Sequence, residues 1–160
     1  MIQEVGDQDL RQALDLVNRV FSEFVAADYA EQGRNTVECY LRGKLQEVSA
    51  SLKSGEKKIW AYYRESEIIG VIAIRNASHI SLMFVDKRYH RQGIARQLLD
   101  AALDWVKNHK GAQQITVNAS PYAVQAYERL GFVKTEELQE KDGIIYLPMK
   151  RTLQSERVTF

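Results

Sequence analysis

The stretch spanning residues 79–108 changes its apolar rhythm once, and that change limits what the chain can become. HISLMFV, residues 79–85, is short and apolar and suits a strand. Apolar residues then recur at Ile94, Leu98, Ala101, Ala102 and Trp105, the spacing of a helix buried along one face. A turn at residues 86–90 and the glycine Gly93 lie between them. A strand and a helix joined this closely pack against one another, so a layered domain of sheet and helices is expected.

The rest of the chain extends that pattern. Residues 2–5 suit a short strand, Gly6 breaks it, and Asp7 suits a helix N-cap. Leu10, Leu14, Val17, Phe21 and Phe24 predict a helix over residues 8–25, with a loop at 26–35. Val37, Leu41, Leu45, Val48 and Leu52 predict a second helix, stopped by Ser54-Gly55. Strands are expected at 59–63, 68–75 and 79–85, the first two joined by the polar loop 64–67. The helix after Gly93 is expected to reach about Asn108, and Gly111 to end it. A strand follows at 114–118. Pro121 suits the first turn of a helix that runs to Leu130 and stops at Gly131. Strands at 132–138 and 144–151 flank a turn at Asp142-Gly143. The order is βααβββαβαββ, one domain over residues 1–151, with an aperiodic and loosely held tail at 152–160.

Composition narrows the partners. The 160 residues carry 22 basic and 21 acidic side chains, a formal net charge of +1. Bulk attraction to nucleic acid or to an anionic membrane is not expected from that balance. No run approaches the ~20 apolar residues that span a bilayer. MIQEVGDQDL lacks the basic and apolar regions of a signal peptide. Cys39 is the one cysteine, which rules out an intrachain disulfide and a cysteine metal site. It is expected to serve packing, and a cytoplasmic setting is the default. His79, His90 and His109 are too scattered for a local metal motif, so no metal is expected.

Chemistry concentrates at residues 80–96. A helix start offers unpaired N–H groups and the positive end of its dipole. Gly93 admits a ligand close to the backbone, and Lys87, Arg88, Arg91 and Arg96 add positive charge. Such a combination suits a phosphate or diphosphate. The same residues also fit a solvated surface with a glycine near a helix start. Neither Gly-x-x-x-x-Gly-Lys-Ser/Thr nor Gly-x-Gly-x-x-Gly occurs, so the common nucleotide motifs are not supported.

VDKRYHRQGIARQLL, residues 85–99, resembles the acyl-CoA motif of the GNAT acetyltransferases, Arg/Gln-x-x-Gly-x-Gly/Ala. Gly93 and Ala95 fill its last two defined positions, and His90 stands where Arg or Gln is usual. ITVNASPYAVQAYERLGF, residues 115–132, resembles the later motif of the same family, a strand and a helix ending in Tyr-x-x-x-Gly-Phe. Tyr127, Gly131 and Phe132 fit it, and Ser120 falls where Asn is frequent. The resemblance implies an α/β fold of the GNAT acyl-CoA N-acyltransferase type, a mostly antiparallel central sheet flanked by helices.

It also implies an enzyme that uses acetyl-CoA to acetylate a primary amine of a small molecule or peptide by direct attack. Backbone groups of Phe84 and Val85 would hold the pantetheine arm. Those of His90, Arg91, Gln92, Gly93, Ile94, Ala95 and Arg96 would hold the diphosphate. Asn118 and Ser120 would touch the cofactor from the opposite lip. Tyr127 would be the general acid, since a phenol with a reference pKa of about 10 stays protonated at neutral pH. The family's strand glutamate is missing, which leaves His79, or a water held by Ser81, as candidate base. The acceptor would meet Phe24, Asp28, Tyr29 and Glu31. A homodimer is an assembly the family often forms. A catalytically silent acyl-CoA sensor or interaction module is the alternative, and nucleic-acid binding through the basic turn is disfavoured by the charge balance.

Overall fold

The computed structural model describes residues 1–20, 50 and 52–153. Within them an eight-stranded sheet carries helices on both faces. In chain order the elements are β1 (Ile2–Glu4), α1 (Asp7–Val20), β2 (Lys57–Arg64), β3 (Glu67–Arg75), β4 (His79–Val85), α2 (Ile94–Trp105), β5 (Gln114–Ala119), α3 (Val124–Arg129), β6 (Val133–Lys134), β7 (Gln139–Lys141) and β8 (Ile144–Thr152). The spatial order is β1-β2-β3-β4-β5-β8-β6, with β7 also on β8. Every pairing is antiparallel except β4 with β5. The mostly antiparallel α/β architecture expected from the sequence is therefore present.

β3 explains why the sheet sits in the middle. Its residues from Ile68 to Ile74 are all buried, as expected of a strand covered on both faces. Side chains alternate between two cores. Val71 and Ala73 pack with Leu10, Leu14, Val17 and Val20 of α1. Ile72 and Ile74 pack with Leu98, Leu99 and Ala102 of α2. On β2 the same alternation sends Trp60 to the α2 side, where it meets Trp105 edge-on at 5.8 Å.

The boundaries moved in a few places. β2 and β3 each extend toward the other, which shrinks their connection to Glu65 and Ser66. Residues 121–123 form a 3₁₀ turn before α3, so Pro121 opens that turn rather than the helix itself. The strand expected over 132–138 holds only at Val133–Lys134. A separate strand, β7, stands just before the turn at Asp142-Gly143, where QEK offers no apolar alternation to announce it. Thr152 ends β8, and Leu153 is buried with its N–H donated to the Gln113 carbonyl at 2.8 Å, so both pack with the sheet; the rest of the expected tail lies outside the described residues. Residues 52–54 are helical and stop at Gly55, the end anticipated for the second helix. The rest of that helix, Cys39 and the loop at 26–35 lie outside the described residues.

Gly70 fixes how closely α2 approaches the sheet. A Cβ there would stand 3.0 Å from Leu98 Cδ1 and 3.1 Å from Ile94 Cγ2. Both partners are buried side chains of α2 and cannot swing into solvent. Gly70→Ala should therefore cost about 1–3 kcal/mol by overpacking. Urea unfolding is the check, and a midpoint equal to wild type would show that α2 yields there.

Candidate active site

β4 and β5 begin side by side and then part. Only His79 with Thr116 and Ile80 with Val117 are in register. Beyond them β4 remains paired to β3 as far as Val85, and β5 remains paired to β8 through Ala119. The parting starts at a β-bulge, where Ala73 faces Leu82 and Ile74 faces Ile80, leaving Ser81 as the extra residue. A bulge increases twist and turns a strand, which suits a place where two neighbours diverge. The result is a gap in the middle of a sheet, bordered by main chain.

The backbone groups facing that gap can be assigned. Asp86 donates its N–H to the Ile69 carbonyl on β3 at 2.8 Å. The Phe84 carbonyl also faces β3, 3.6 Å from where a Gly70 Cβ would stand. Alternation then sends the main-chain groups of Met83 and Val85 toward β5. Met83 is thus a gap residue that sequence reasoning missed, because strand phase depends on a bulge that no residue type announces. Phe84 also lines the cleft, but its carbonyl is turned toward β3.

The gap opens into a cleft of about 720 Å³ between β4, the turn after it, α2, β5 and α3. Of the expected cofactor residues, Phe84, Val85, His90, Arg91, Gly93, Ile94, Ala95, Arg96, Asn118 and Ser120 all line it. Gln92 does not; it borders a smaller pocket beside Tyr62 and Arg64. Tyr89, Tyr122, Gln125 and Arg129 line the cleft without having been singled out. Arg129 at a helix end was the most legible of these. Phe24, Asp28, Tyr29 and Glu31 lie outside the described residues.

The turn into α2 is shaped for an anion. Arg91 and Gly93 both have left-handed backbones, with φ of 64° and 77°, and Gly93 caps α2. Turns of this kind gather successive N–H groups into a concavity, here at the positive end of a helix. His90 secures the turn: its Nε2 lies 2.8 Å from the Val85 carbonyl, which can only accept, so the ring donates. Among the described residues the cleft lining includes Arg91, Arg96 and Arg129 and no carboxylate. Arg88, by contrast, is drawn away to Asp86 and Glu67. The basic turn therefore divides its charges, with Arg91 and Arg96 on the cleft and Arg88 in the scaffold. The Arg88 hydrogen bonds, with burial opposing them, hold the Asp86 carboxyl below its usual range.

Tyr127 presents its hydroxyl to the cleft. Its ring is buried, edge-on to Phe132 at 5.3 Å. Among the described residues nothing hydrogen-bonds the hydroxyl, yet no buried side-chain polar atom lacks a partner. The oxygen is therefore open to the cleft that the residue lines. Burial pushes the phenol well above its ordinary pKa, so it stays protonated.

His79 sits elsewhere. It does not line the cleft, and its Nδ1 is 2.7 Å from Thr116 Oγ1, tying β4 to β5 where they pair. Burial, helped by Arg75, lowers its pKa to about 4. That placement and that acidity do not suit a base for an alkylamine. Ser81 does line the cleft, with its Oγ donating to the Ala73 carbonyl at 3.4 Å.

A sheet that parts beside a helix N-terminus, with helices on both faces, defines the acyl-CoA N-acyltransferase class. The acetyltransferase (GNAT) domain family model matches residues 25–153, and the chain belongs to that family. N-alpha-acetyltransferase 30 of Schizosaccharomyces pombe is 40% identical over 63 residues, 38% of this chain and 41% of that protein. The uncharacterized N-acetyltransferase YafP of Escherichia coli is 31% identical over 80 residues, 50% of this chain and 49% of that one. The chain thus spans less than half the length of these curated relatives. Two solved structures share the fold over nearly their whole length. The GCN5-related N-acetyltransferase from Rhodopseudomonas palustris has a TM-score of 0.76 at 20% identity, covering 96% of this chain and 95% of that one. The PaiA N-acetyltransferase from Thermoplasma acidophilum, in complex with coenzyme A, has a TM-score of 0.74 at 17% identity, covering 96% and 98%. Among the described residues no helix is long and apolar enough to cross a membrane.

The low pKa of His79 carries a stability consequence. The folded state binds its proton less readily than the unfolded chain, whose histidine titrates near 6.5. The stabilisation is complete above pH 6.5 and declines as pH falls toward 4. Melting temperature should drop across that window, and His79→Gln should flatten the drop. Calorimetry at pH 7 and pH 4.5 checks the drop, and the difference between wild type and His79→Gln assigns it to the histidine.

Proposed function

We propose that this protein transfers the acetyl group of acetyl-CoA to a primary amine of a small molecule or peptide, by direct attack. The observation that carries this is the unpartnered Tyr127 hydroxyl opening on the same cleft as the parted strands and the α2 N-terminus. The cleft residues fit coenzyme A: two open strand edges for the amide-rich arm, a left-handed glycine that leaves room at the helix start, and three arginines for the phosphates.

Main-chain groups of Met83 and Val85 hold the pantetheine arm as an added strand would be held. The N–H groups from Arg91 to Arg96 grip the diphosphate, and Asn118 and Ser120 close the opposite lip. When bound, acetyl-CoA supplies an activated thioester carbonyl within reach of a nucleophile. Main-chain N–H groups beside the gap polarise that carbonyl and stabilise charge as it develops. Tyr127 donates its proton toward the departing sulfur, a role that a raised pKa makes available across the physiological range. Ser81 holds the water that takes the proton of the attacking amine. The acceptor enters from the α1 side, toward the expected contacts Phe24, Asp28, Tyr29 and Glu31. The names of the relatives support an amine acceptor: one is an N-alpha-acetyltransferase, and a solved neighbour of the same fold is an aminoglycoside 6'-N-acetyltransferase complexed with coenzyme A.

A thiol-release assay with acetyl-CoA and an amine panel tests the reading. Tyr127→Phe should lower kcat about 100-fold and leave CoA affinity close to wild type by calorimetry. CoA uptake without turnover on any amine, and no effect of Tyr127→Phe, would assign the protein to the silent binding modules instead.

A further inference from the structure

Asp86 is the one charged side chain buried among the described residues, and it stands where β4 hands over to the cofactor turn. A buried carboxylate beside a site for phosphates is electrostatically adverse, so its presence calls for a reason. Its contacts supply one. Oδ1 accepts from the Arg88 N–H at 2.9 Å and from Arg88 Nε at 3.2 Å. Oδ2 accepts from Arg88 Nη2 and from Arg19 Nη2 of α1, each at 2.9 Å. The Asp86 carbonyl accepts from the Tyr89 N–H at 2.9 Å, and the Asp86 N–H is spent on β3. Arg88 Nη2 continues to Glu67 Oε1 at 2.6 Å. One carboxylate thus fastens the turn to α1, to β3 and to itself.

We infer that Asp86, held by Arg19 and by the Arg88–Glu67 pair, is the positioning residue that sets the main chain of the turn for the cofactor phosphates. The inference rests on the reading of the cleft as a coenzyme A site. Asp86 does not line that cleft, so it acts through the residues that do. Without its hydrogen bonds the turn keeps only the His90 bond to the Val85 carbonyl between the end of β4 and the left-handed pair Arg91 and Gly93. It also releases Arg88 from the scaffold.

The sign of the effect separates positioning from charge. Neutralising Asp86 or Glu67 removes a negative charge near the phosphates, so electrostatics alone predicts tighter CoA binding. Positioning predicts weaker binding. Calorimetric titration with CoA at 25 °C should show Asp86→Asn weakened about tenfold. Glu67→Gln, a half-exposed and fold-safe change, should be weakened about two- to threefold. Both losses should persist at high salt, where through-space charge effects are screened. Amide hydrogen exchange should show lost protection at Arg88 and Tyr89 in Asp86→Asn, with β3 and α2 protected as before. Variants that bind CoA as tightly as wild type, or more tightly, overturn the inference. So does a lowered melting temperature with unchanged CoA affinity, the mark of a carboxylate that serves folding alone. If Asp86→Asn fails to fold, Glu67→Gln decides. Wild-type protein that takes up no CoA removes the cofactor reading itself, and the positioning role with it.

Discussion

The parting of β4 from β5 is the constraint on which the rest of the structure depends. Backbone N–H and C=O groups inside a protein need partners, and a sheet normally supplies them. Here two central strands stay paired for only two residues and then separate, each still held by its other neighbour. The exposed edges lie in the interior of the sheet, where closing them would require breaking β3 from β4 or β5 from β8. They stay open, and a ligand with its own amide groups is the natural partner. The two cores on either side of the sheet hold this arrangement against collapse.

The charge distribution follows the same division between scaffold and site. In the sequence Lys87, Arg88, Arg91 and Arg96 look like one basic patch. In the fold Arg88 is committed to Asp86 and Glu67, while Arg91 and Arg96 face the cleft. Arg64 and Arg88 also lie over the ring of Tyr89, at 5.2 and 5.4 Å from its centre, which adds weight to the fixed half of the turn. A chain with a net charge of +1 can thus present a cationic cleft without a cationic surface.

Much of the fold was legible because it rests on residue type and period. The short aromatic run of β2, the β-branched run of β3, the helical spacing of α2 and the stops at Gly55, Gly111 and Gly131 are local signals, and each element was placed within a few residues. The cleft lining was legible through two motifs whose spacing reports a strand, a turn and a helix. What escaped depends on contacts across the chain. The bulge at Ser81 decides that Met83 rather than Phe84 faces the gap with its main chain, and a bulge is set by the neighbouring strand. His79 has the right residue type for a base but the wrong end of β4. Asp86 looked like one more polar turn residue, since its partner Arg19 is 67 positions away. β7 forms because β8 offers it an edge, and its own three residues say nothing of that.

The cofactor site proposed for this cleft is built in a way that lets its sequence drift. A grip made by main-chain groups asks little of side chains: any residue but proline supplies an N–H, and only the glycine with φ of 77° is sterically selected. His90 can then stand in a position where other members carry Arg or Gln, provided that it closes the turn from its own side, as its bond to the Val85 carbonyl does. Acceptor choice is the reverse case. It must be written in side chains, because a main chain offers every amine the same carbonyls. On the proposed reading, selectivity is free to change without disturbing the turn, and the hydrogen bond from Arg19 to Asp86 is one link from α1 to that turn.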